Sequence, residues 1–134
     1  MTDMGEWATG DDPGEEEIPA RRYETLDQFV NEFLVSALWV DLSGQDRIWC
    51  PEWWRHTAAV MRLDALHRAF ESMRLDPGAG LSVWILHHAD PQMTVLTSPQ
   101  GPLKGCSVDR GHDADRDRVI PVIPAPAGLF GIDD

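Results

Sequence analysis

Eight consecutive residues, Trp49 to His56, concentrate side chains that could bind a metal ion or take part in catalysis. The segment reads WCPEWWRH and holds three of the six tryptophans, one of the two cysteines and one of the five histidines. The second cysteine, Cys106, is also followed six positions later by a histidine, His112. Thiolate and neutral imidazole are ligands that zinc favours in proteins. The doubled Cys-x5-His spacing therefore raises three hypotheses: a metal site, a catalytic pair or a densely packed helix start.

Apolar periodicity predicts the helices that would position these side chains. Thr25 and Gln28 fit a capping box, and the apolar residues that follow have helical spacing: Leu26, Phe29, Val30, Phe33, Leu34, Ala37 and Leu38. A second helix is expected to open at Cys50-Pro51, because proline suits the first helical position. Its apolar stripe comprises His56, Ala59, Val60, Leu63, Leu66, Phe70 and Met73. Its charged residues, Glu71 among them, lie off this stripe and are interpreted as a solvated face. A third helix fits Leu81 to His88, with a further helical turn over Pro91 to Leu96, and Trp49, Trp53, Trp54 and Trp84 are interpreted as core residues.

Helical phase selects two histidines among four candidate metal ligands. His56 and His88 fall on the apolar stripes of the second and third helices, where each buried ring nitrogen needs a partner. Cys50 at a helix start would be favoured as a thiolate by the helix macrodipole. Cys50, His56, His88 and Cys106 would then form a Cys2His2 zinc site, with His112 as the reserve ligand. The alternative left open is that the cysteines are small buried hydrophobes and the histidines are hydrogen-bonded in the core.

The charge of the chain lies mainly at its ends. Residues 1–24 hold eight of the 23 acidic residues and two of the 11 basic ones, which is half of the net charge of −12. This acidic segment is expected to be disordered, because it cannot bury enough apolar surface. A helical domain is predicted over residues 25–112, followed by an Asp/Arg and Pro-rich flexible tail over 113–134. The predicted fold class is mainly α: a small domain of three to four helices with a loop-rich C-terminal part, zinc-stapled under the metal hypothesis.

Composition also excludes several classes of protein. A net charge of −12 repels polyanions, so direct binding to nucleic acid is disfavoured. The first residues lack the basic and apolar runs of a signal peptide, and no apolar stretch is long enough to span a bilayer. The protein is therefore expected to be cytoplasmic, where thiols stay reduced. A disulfide between Cys50 and Cys106 is the poorer interpretation of the two cysteines.

A set of motifs extends over about residues 29–112. It comprises the Trp-Cys-x-x-Trp-Trp-x-His opening, the Arg62-Leu63 helix, the Asp76-Pro77 stop, Trp84 with His88-Ala89-Asp90, and Gly101-Pro102 before Cys106. Together these motifs resemble a small family of unknown function found in actinobacterial genomes, phages and mobile elements. The resemblance implies no activity, but it implies that Cys50, His56, His88 and Cys106 stand at motif positions, which strengthens the zinc hypothesis. The chain departs from the family pattern at Ala58, His67, Phe70 and Leu103.

The predicted function is that of a non-enzymatic interaction or regulatory protein of an actinobacterial phage or mobile element, stabilised by a structural zinc. Its partner is expected to be another protein. Candidate contact residues are Trp7 in the acidic segment and Leu129, Phe130 and Ile132 near the C-terminus. One alternative is a metal-dependent hydrolase that uses His88, Asp90 and a water on the same metal. A second is a nucleic-acid-associated module that acts through its arginines: Arg55, Arg62 and Arg68.

Overall fold

Helices dominate the part of the chain that a computed structural model describes, residues 19–37, 41–42 and 45–131. Helix α1 spans residues 26–37, α2 spans Thr57–Met73, and α3 spans residues 80–96. Short 3-10 helices cover Trp53–Arg55 and Ala114–Asp117, and no described residue belongs to a strand. The prediction of a mainly α fold is confirmed. The predictions for residues 1–18, which include Trp7, for Leu38 and for Ile132 lie outside the described residues.

Helix α1 begins where its sequence predicts. The side chain of Thr25 accepts the backbone N–H of Gln28, and the Gln28 side chain accepts the backbone N–H of Thr25. These reciprocal bonds satisfy donors that a helix start leaves free. Two short α-helical turns flank a π-helical stretch over Phe29–Leu34. This stretch buries Phe29, Val30 and Leu34 in the core.

Helix α2 begins at Thr57, six residues after Pro51, which the sequence predicts as its first residue. Cys50 and Pro51 are not helical, because Pro51 lies in a turn and a 3-10 helix over Trp53–Arg55 follows it. Proline presets φ for a turn as readily as for a helix start, so its presence did not distinguish the two structures. The helix itself starts at Thr57, with His56 as its N-cap residue. The predicted stripe is otherwise confirmed by four buried residues: Ala59, Leu63, Leu66 and Phe70.

Helix α3 is a single helix that continues past the predicted end at His88. Its first α-helical segment, Gly80–Trp84, leads into a π-helical turn over Ile85–Ala89, and a second α-helical segment covers Asp90–Leu96. Pro91 has no N–H and clashes with the carbonyl four residues earlier in a regular α-helix. The wider π-helical turn, which ends at Ala89 two residues before Pro91, is a helix form that tolerates this interruption. The chain therefore stays helical through the proline.

Aromatic residues from all three helices fill the core. The rings of Phe33 and Phe70 lie 5.0 Å apart, and those of Phe70 and Trp84 lie 5.2 Å apart in an edge-on arrangement. The indole N–H of Trp84 donates to the carbonyl of Leu66 at 3.1 Å, so this fully buried polar group is satisfied. The prediction that Trp54 is a core residue is wrong. Its ring is 58% exposed, with the guanidinium of the neighbouring arginine over it.

A buried carboxylate fastens the segment before α1 to the end of α2. We call this group the Glu71 clamp: Glu71, His67, Arg74 and the backbone of Arg22 and Tyr23. Glu71 accepts the two backbone N–H groups at 2.8 and 3.0 Å, the Arg74 side chain at 2.8 Å and His67 Nε2 at 3.0 Å. Burial alone would raise the pKa of Glu71, but these donors outweigh it and lower the pKa to about 2. The prediction that Glu71 lies on a solvated face is therefore wrong.

Candidate metal centre

The first half of the site is a loop held against the C-terminal end of α3. The backbone N–H of Ile48 donates to the carbonyl of Thr97 at 2.8 Å, and Arg47 donates to the carbonyl of Thr94 at 3.0 Å. These bonds satisfy carbonyls that the end of a helix leaves free. The chain then turns at 51–52 and through the 3-10 helix, which brings Cys50 and His56 to the same side of the loop.

The second half of the site is a tight reversal between Cys106 and His112. Ser107 and Gly111 form an isolated antiparallel bridge, with N–O distances of 3.1 and 2.8 Å. Gly105, directly before Cys106, has φ +91°, and a Cβ at this position would lie 2.3 Å from an oxygen of Asp113. The backbone conformation of this turn therefore requires glycine. Each Cys-x5-His segment thus brings its own thiol and imidazole together through a turn rather than along a helix.

The two halves converge on one buried point, and we call Cys50, His56, Cys106 and His112 the Cys/His cluster. One ligand atom from each residue lies within 4.8 Å of the ligand atoms of the other three. Cys106 Sγ is 3.6 Å from His56 Nε2 and 3.8 Å from His112 Nδ1, and Cys50 Sγ is 3.4 Å from the same Nδ1. A tetrahedral zinc ion with normal bond lengths separates sulfur from nitrogen ligands by about 3.5 Å. The cluster therefore has close to the spacing that such an ion requires.

Further hydrogen bonds orient the atoms around this point. The backbone N–H of Asp113 donates to Cys106 Sγ at 3.3 Å. His112 Nε2 donates to Asp117 Oδ1 at 2.8 Å, which leaves the lone pair of Nδ1 directed at the two sulfurs. Cys50 and Cys106 are free thiols and form no disulfide.

Burial tunes the protonation of the cluster. Burial, with the nearby Cys106 sulfur as a further cause, raises the pKa of Cys50 to about 12, although the backbone N–H of Glu52 acts in the opposite direction. Burial also lowers the pKa of His56, and the charges of His112 and Arg116 lower it further. The lowered pKa favours the neutral form of His56, which is the form that binds metals. A bound cation favours the thiolate form of a cysteine outright.

The structure brings together three of the four predicted metal ligands. Cys50, His56 and Cys106 meet at the Cys/His cluster, and the fourth position is occupied by His112, the reserve ligand. His88 does not join them; it lies in the π-helical turn of α3. Asp90, paired with it in the hydrolase hypothesis, is exposed at the start of the last α-helical segment.

The three arginines of the nucleic-acid hypothesis all have partners within the chain. Arg55 pairs with Glu52, Arg62 donates to Gln92, and Arg68 pairs with Asp64. Among the predicted partner contacts, Leu129 and Phe130 are exposed. Whether any of these residues contacts another molecule stays a prediction.

One property of the sequence distinguishes His112 from His88. The spacing from Cys106 to His112 repeats the spacing from Cys50 to His56, whereas His88 was preferred for its helical phase. Asp117 was not singled out, and it stands in an Asp/Arg-rich stretch where no spacing marks it. The repeated spacing was therefore the more informative of the two patterns.

Fold and site together define a small helical domain with a buried Cys2His2 set that is able to hold a metal ion. The chain belongs to the family described as a domain of unknown function, DUF4913, whose model matches residues 23–126. The resemblance to a family of unknown function is thus confirmed. No curated protein and no solved structure matches the chain. None of the helices formed by the described residues combines the length and the apolar character that crossing a bilayer requires.

Proposed function

We propose that this protein is a non-enzymatic interaction module whose fold is closed by a structural zinc ion bound to the Cys/His cluster. The single observation that carries the proposal is the convergence of the four ligand atoms within 4.8 Å. The two ligand pairs come from segments about 50 residues apart, as the contact between His56 and Cys106 shows. Hydrogen bonding between thiols and imidazoles is the competing explanation, and metal content distinguishes the two.

The donor set favours zinc over other common ions. Two sulfurs and two imidazole nitrogens are a soft to borderline set, whereas magnesium and calcium take oxygen ligands. Zinc accepts tetrahedral coordination without a penalty from its filled d shell. The cluster consists of cysteine and histidine alone, so the oxygen-binding ions are poor candidates.

The number and burial of the ligands support a structural role. A structural zinc is closed by four protein ligands, whereas a catalytic zinc keeps one position for water. Cys50, Cys106 and His56 are all buried, and the described cluster already supplies four ligands. Such an ion would fasten the loop before α2 to the reversal after α3.

An exposed apolar segment supports the interaction role. Five apolar residues between 119 and 130 are 81% exposed or more: Val119, Ile120, Val122, Ile123 and Phe130. Contiguous exposed apolar residues are typical of sites that bind another protein. The segment also contains prolines that prevent it from forming a helix of its own. An extended chain of this composition is suited to an apolar groove on a partner protein.

Metal analysis tests the structural site. We expect about one zinc per chain in protein purified without added metal, as one tetrahedral site requires. Cys50→Ser and His112→Ala should lose the zinc, whereas His88→Ala, the matched control, should retain it. A metal-free wild-type protein would end the proposal. If His112→Ala kept its zinc and His88→Ala lost it, the fourth ligand would be His88 and not His112.

Cobalt substitution separates a closed site from a catalytic one. Cobalt bound by two thiolates gives strong charge-transfer absorption, and an open coordination position would admit azide and change the visible spectrum. We expect azide to leave the spectrum unchanged, because four protein ligands fill the site. An azide-dependent change would favour an enzyme instead.

Photo-crosslinking tests the interaction role. A photoreactive amino acid at position 123 should give a crosslink to one protein, and Ile120→Asp should abolish that crosslink by charging the apolar segment. The same probe at Leu75, an exposed apolar residue after α2, is the control. Equal crosslinking from both positions would contradict a specific contact through the C-terminal segment.

A further inference from the structure

Asp117 contacts the outer face of the cluster through His112. The carboxylate oxygen Oδ1 accepts the Nε2–H of His112 at 2.8 Å, while Nδ1 of the same ring faces the sulfurs of Cys50 and Cys106. A histidine that donates one ring N–H to a carboxylate holds its other nitrogen in the deprotonated form that binds metals. The orientation and the tautomer of His112 are therefore both set by Asp117.

Asp117 is in turn held from two sides. It ends the 3-10 helix Ala114–Asp117, whose start is capped by Asp113 Oδ1 accepting the backbone N–H of Asp115 at 3.1 Å. Its second oxygen lies 3.8 Å from a guanidinium nitrogen of Arg55, and Arg55 bonds to Glu52 at 2.6 Å. Arg55 and Glu52 belong to the loop that carries the other ligand pair. A chain of polar contacts thus joins the two halves of the site on its exposed side.

We propose that Asp117 is a positioning residue of the metal site, which orients His112 and strengthens it as a ligand. The inference rests on the proposed function, since it assigns a role only if the Cys/His cluster binds a metal. The ion pair of Asp117 with Arg55 is about half exposed, and exposed pairs contribute little to stability by themselves. The effect of Asp117 should therefore appear mainly in metal affinity, and its contribution to the metal-free fold should be limited to the hydrogen bond with His112.

Zinc affinity of the full chain tests this role. A chromogenic chelator competes for zinc with the wild type, Asp117→Ala and Asp117→Asn. Removing a partner of this kind typically weakens metal binding about 10- to 100-fold, and we expect Asp117→Ala to fall in that range. Asp117→Asn should lie closer to the wild type, because an amide oxygen accepts the same ring N–H. In the metal-free proteins, the midpoint of thermal unfolding of Asp117→Asn should be unchanged, because the hydrogen bond to His112 is kept.

Asp115→Ala is the matched control. It removes the same charge from the same 3-10 helix and leaves the bond to His112 in place. Equal losses for Asp115→Ala and Asp117→Ala would overturn the proposal, because general charge would then explain the effect. An affinity of Asp117→Ala within about twofold of wild type would also overturn it.

Failure of this inference is distinguishable from failure of the proposed function. A wild-type chain that binds no zinc refutes the metal site itself. If Asp117→Ala binds zinc as tightly as the wild type does, the metal site stands and only the positioning role is refuted. At saturating cobalt, Asp117→Ala should keep the thiolate-to-cobalt absorption, since all four ligands remain present.

Discussion

Two buried polar clusters lie near opposite ends of α2 and balance their charges in different ways. In the Glu71 clamp, four N–H donors point at one carboxylate, so the acceptor is fully satisfied within the protein. In the Cys/His cluster, two sulfurs and two ring nitrogens point at one another. A carboxylate surrounded by donors needs nothing more, whereas the Cys/His cluster would be completed by the zinc ion that we propose.

The comparison also separates two uses of a buried histidine. His67 is almost fully buried, and its Nε2 lies 2.9 Å from the carbonyl of Tyr23 and 3.0 Å from Glu71. That nitrogen is a donor and is already occupied. His56 and His112 instead each direct a nitrogen toward sulfur. A histidine on an apolar helix face is therefore a candidate ligand only if its ring nitrogen lacks a nearer acceptor.

Metal removal should have the largest effect of all. A ligand present at about 1,000 times its dissociation constant stabilises a fold by about 4 kcal/mol, so a chelator should lower the free energy of unfolding by roughly that amount. For an ordered domain of this size, the midpoint of thermal unfolding should fall by about 15 °C or more. Calorimetry with and without chelator measures the change.

The Glu71→Gln variant sharpens that measurement. Glu71 and His56, the N-cap residue of α2, are separated by about 22 Å along the helix axis, so changes at the two clusters should be additive. The chelator effect should therefore be the same in Glu71→Gln as in the wild type. A chelator effect that disappears in this variant would show that the two clusters form one cooperative unit.

Loss of the Glu71 carboxylate should have the next largest effect. The pKa of Glu71 is lowered from 4.5 to about 2, which corresponds to roughly 3 kcal/mol of stability at neutral pH. Glu71→Gln should lose about that amount in urea unfolding at pH 7, because it leaves donors around an uncharged side chain. Glu32→Gln, on the exposed face of α1, should change the stability little.

The difference in stability between the wild type and Glu71→Gln should depend on pH, and the lowered pKa of Glu71 sets the direction of that dependence. A lowered pKa stabilises the fold above the unfolded value of 4.5, and this contribution is lost as the pH falls from 4.5 toward 2. With chelator present, so that metal loss in acid does not interfere, the difference between wild type and Glu71→Gln should shrink over that range. A difference that stays constant down to pH 2 would exclude Glu71 as its source.

Local patterns were sufficient to predict most of the fold. The Thr25–Gln28 capping box and the periodicity of the apolar stripe of α2 are local patterns, and both are present. The burial of Glu71 was missed because its partners, the N–H groups of Arg22 and Tyr23, lie 49 and 48 residues away. Sequence periodicity identifies the face of a helix on which a residue lies but not the segment that will cover it.

The site was predicted less completely for a related reason. Helical phase placed His56 and His88 on apolar faces, but the ligands converge through turns, and helical phase has no meaning in a turn. Glycines at 105 and 111 with positive φ form the reversal that selects His112. Glycine patterns indicate turns, yet they do not specify which turns come together in space.

Gly105→Ala should have an intermediate effect on stability, and this effect should arise at the Cys/His cluster and not at the Glu71 clamp. The new Cβ would lie 2.3 Å from Asp113 Oδ2, and the residue would keep an unfavourable φ of +91°. Strain of this kind costs about 1–3 kcal/mol. Gly111 has a similar φ of +84°, but a Cβ at this position would have nothing within 4 Å. Gly111→Ala therefore measures the backbone strain without a steric clash. Gly105→Ala should therefore lose more stability and more zinc affinity than Gly111→Ala, and equal losses would contradict the steric argument.

The smallest effect is expected from an ion pair that matches part of the Glu71 clamp in length but not in burial. Asp64 accepts a hydrogen bond from Arg68 at 2.8 Å, the same distance as that between Arg74 and Glu71. The side chains of Asp64 and Arg68, however, are 42% and 70% exposed. An exposed pair four residues apart on a helix contributes about 0.3–0.5 kcal/mol. Asp64→Ala should therefore change the free energy of urea unfolding by no more than that, and 1 M salt should abolish the difference. A loss above about 1 kcal/mol would mean that bond length, and not the exclusion of water, sets the stability contributed by the Glu71 clamp.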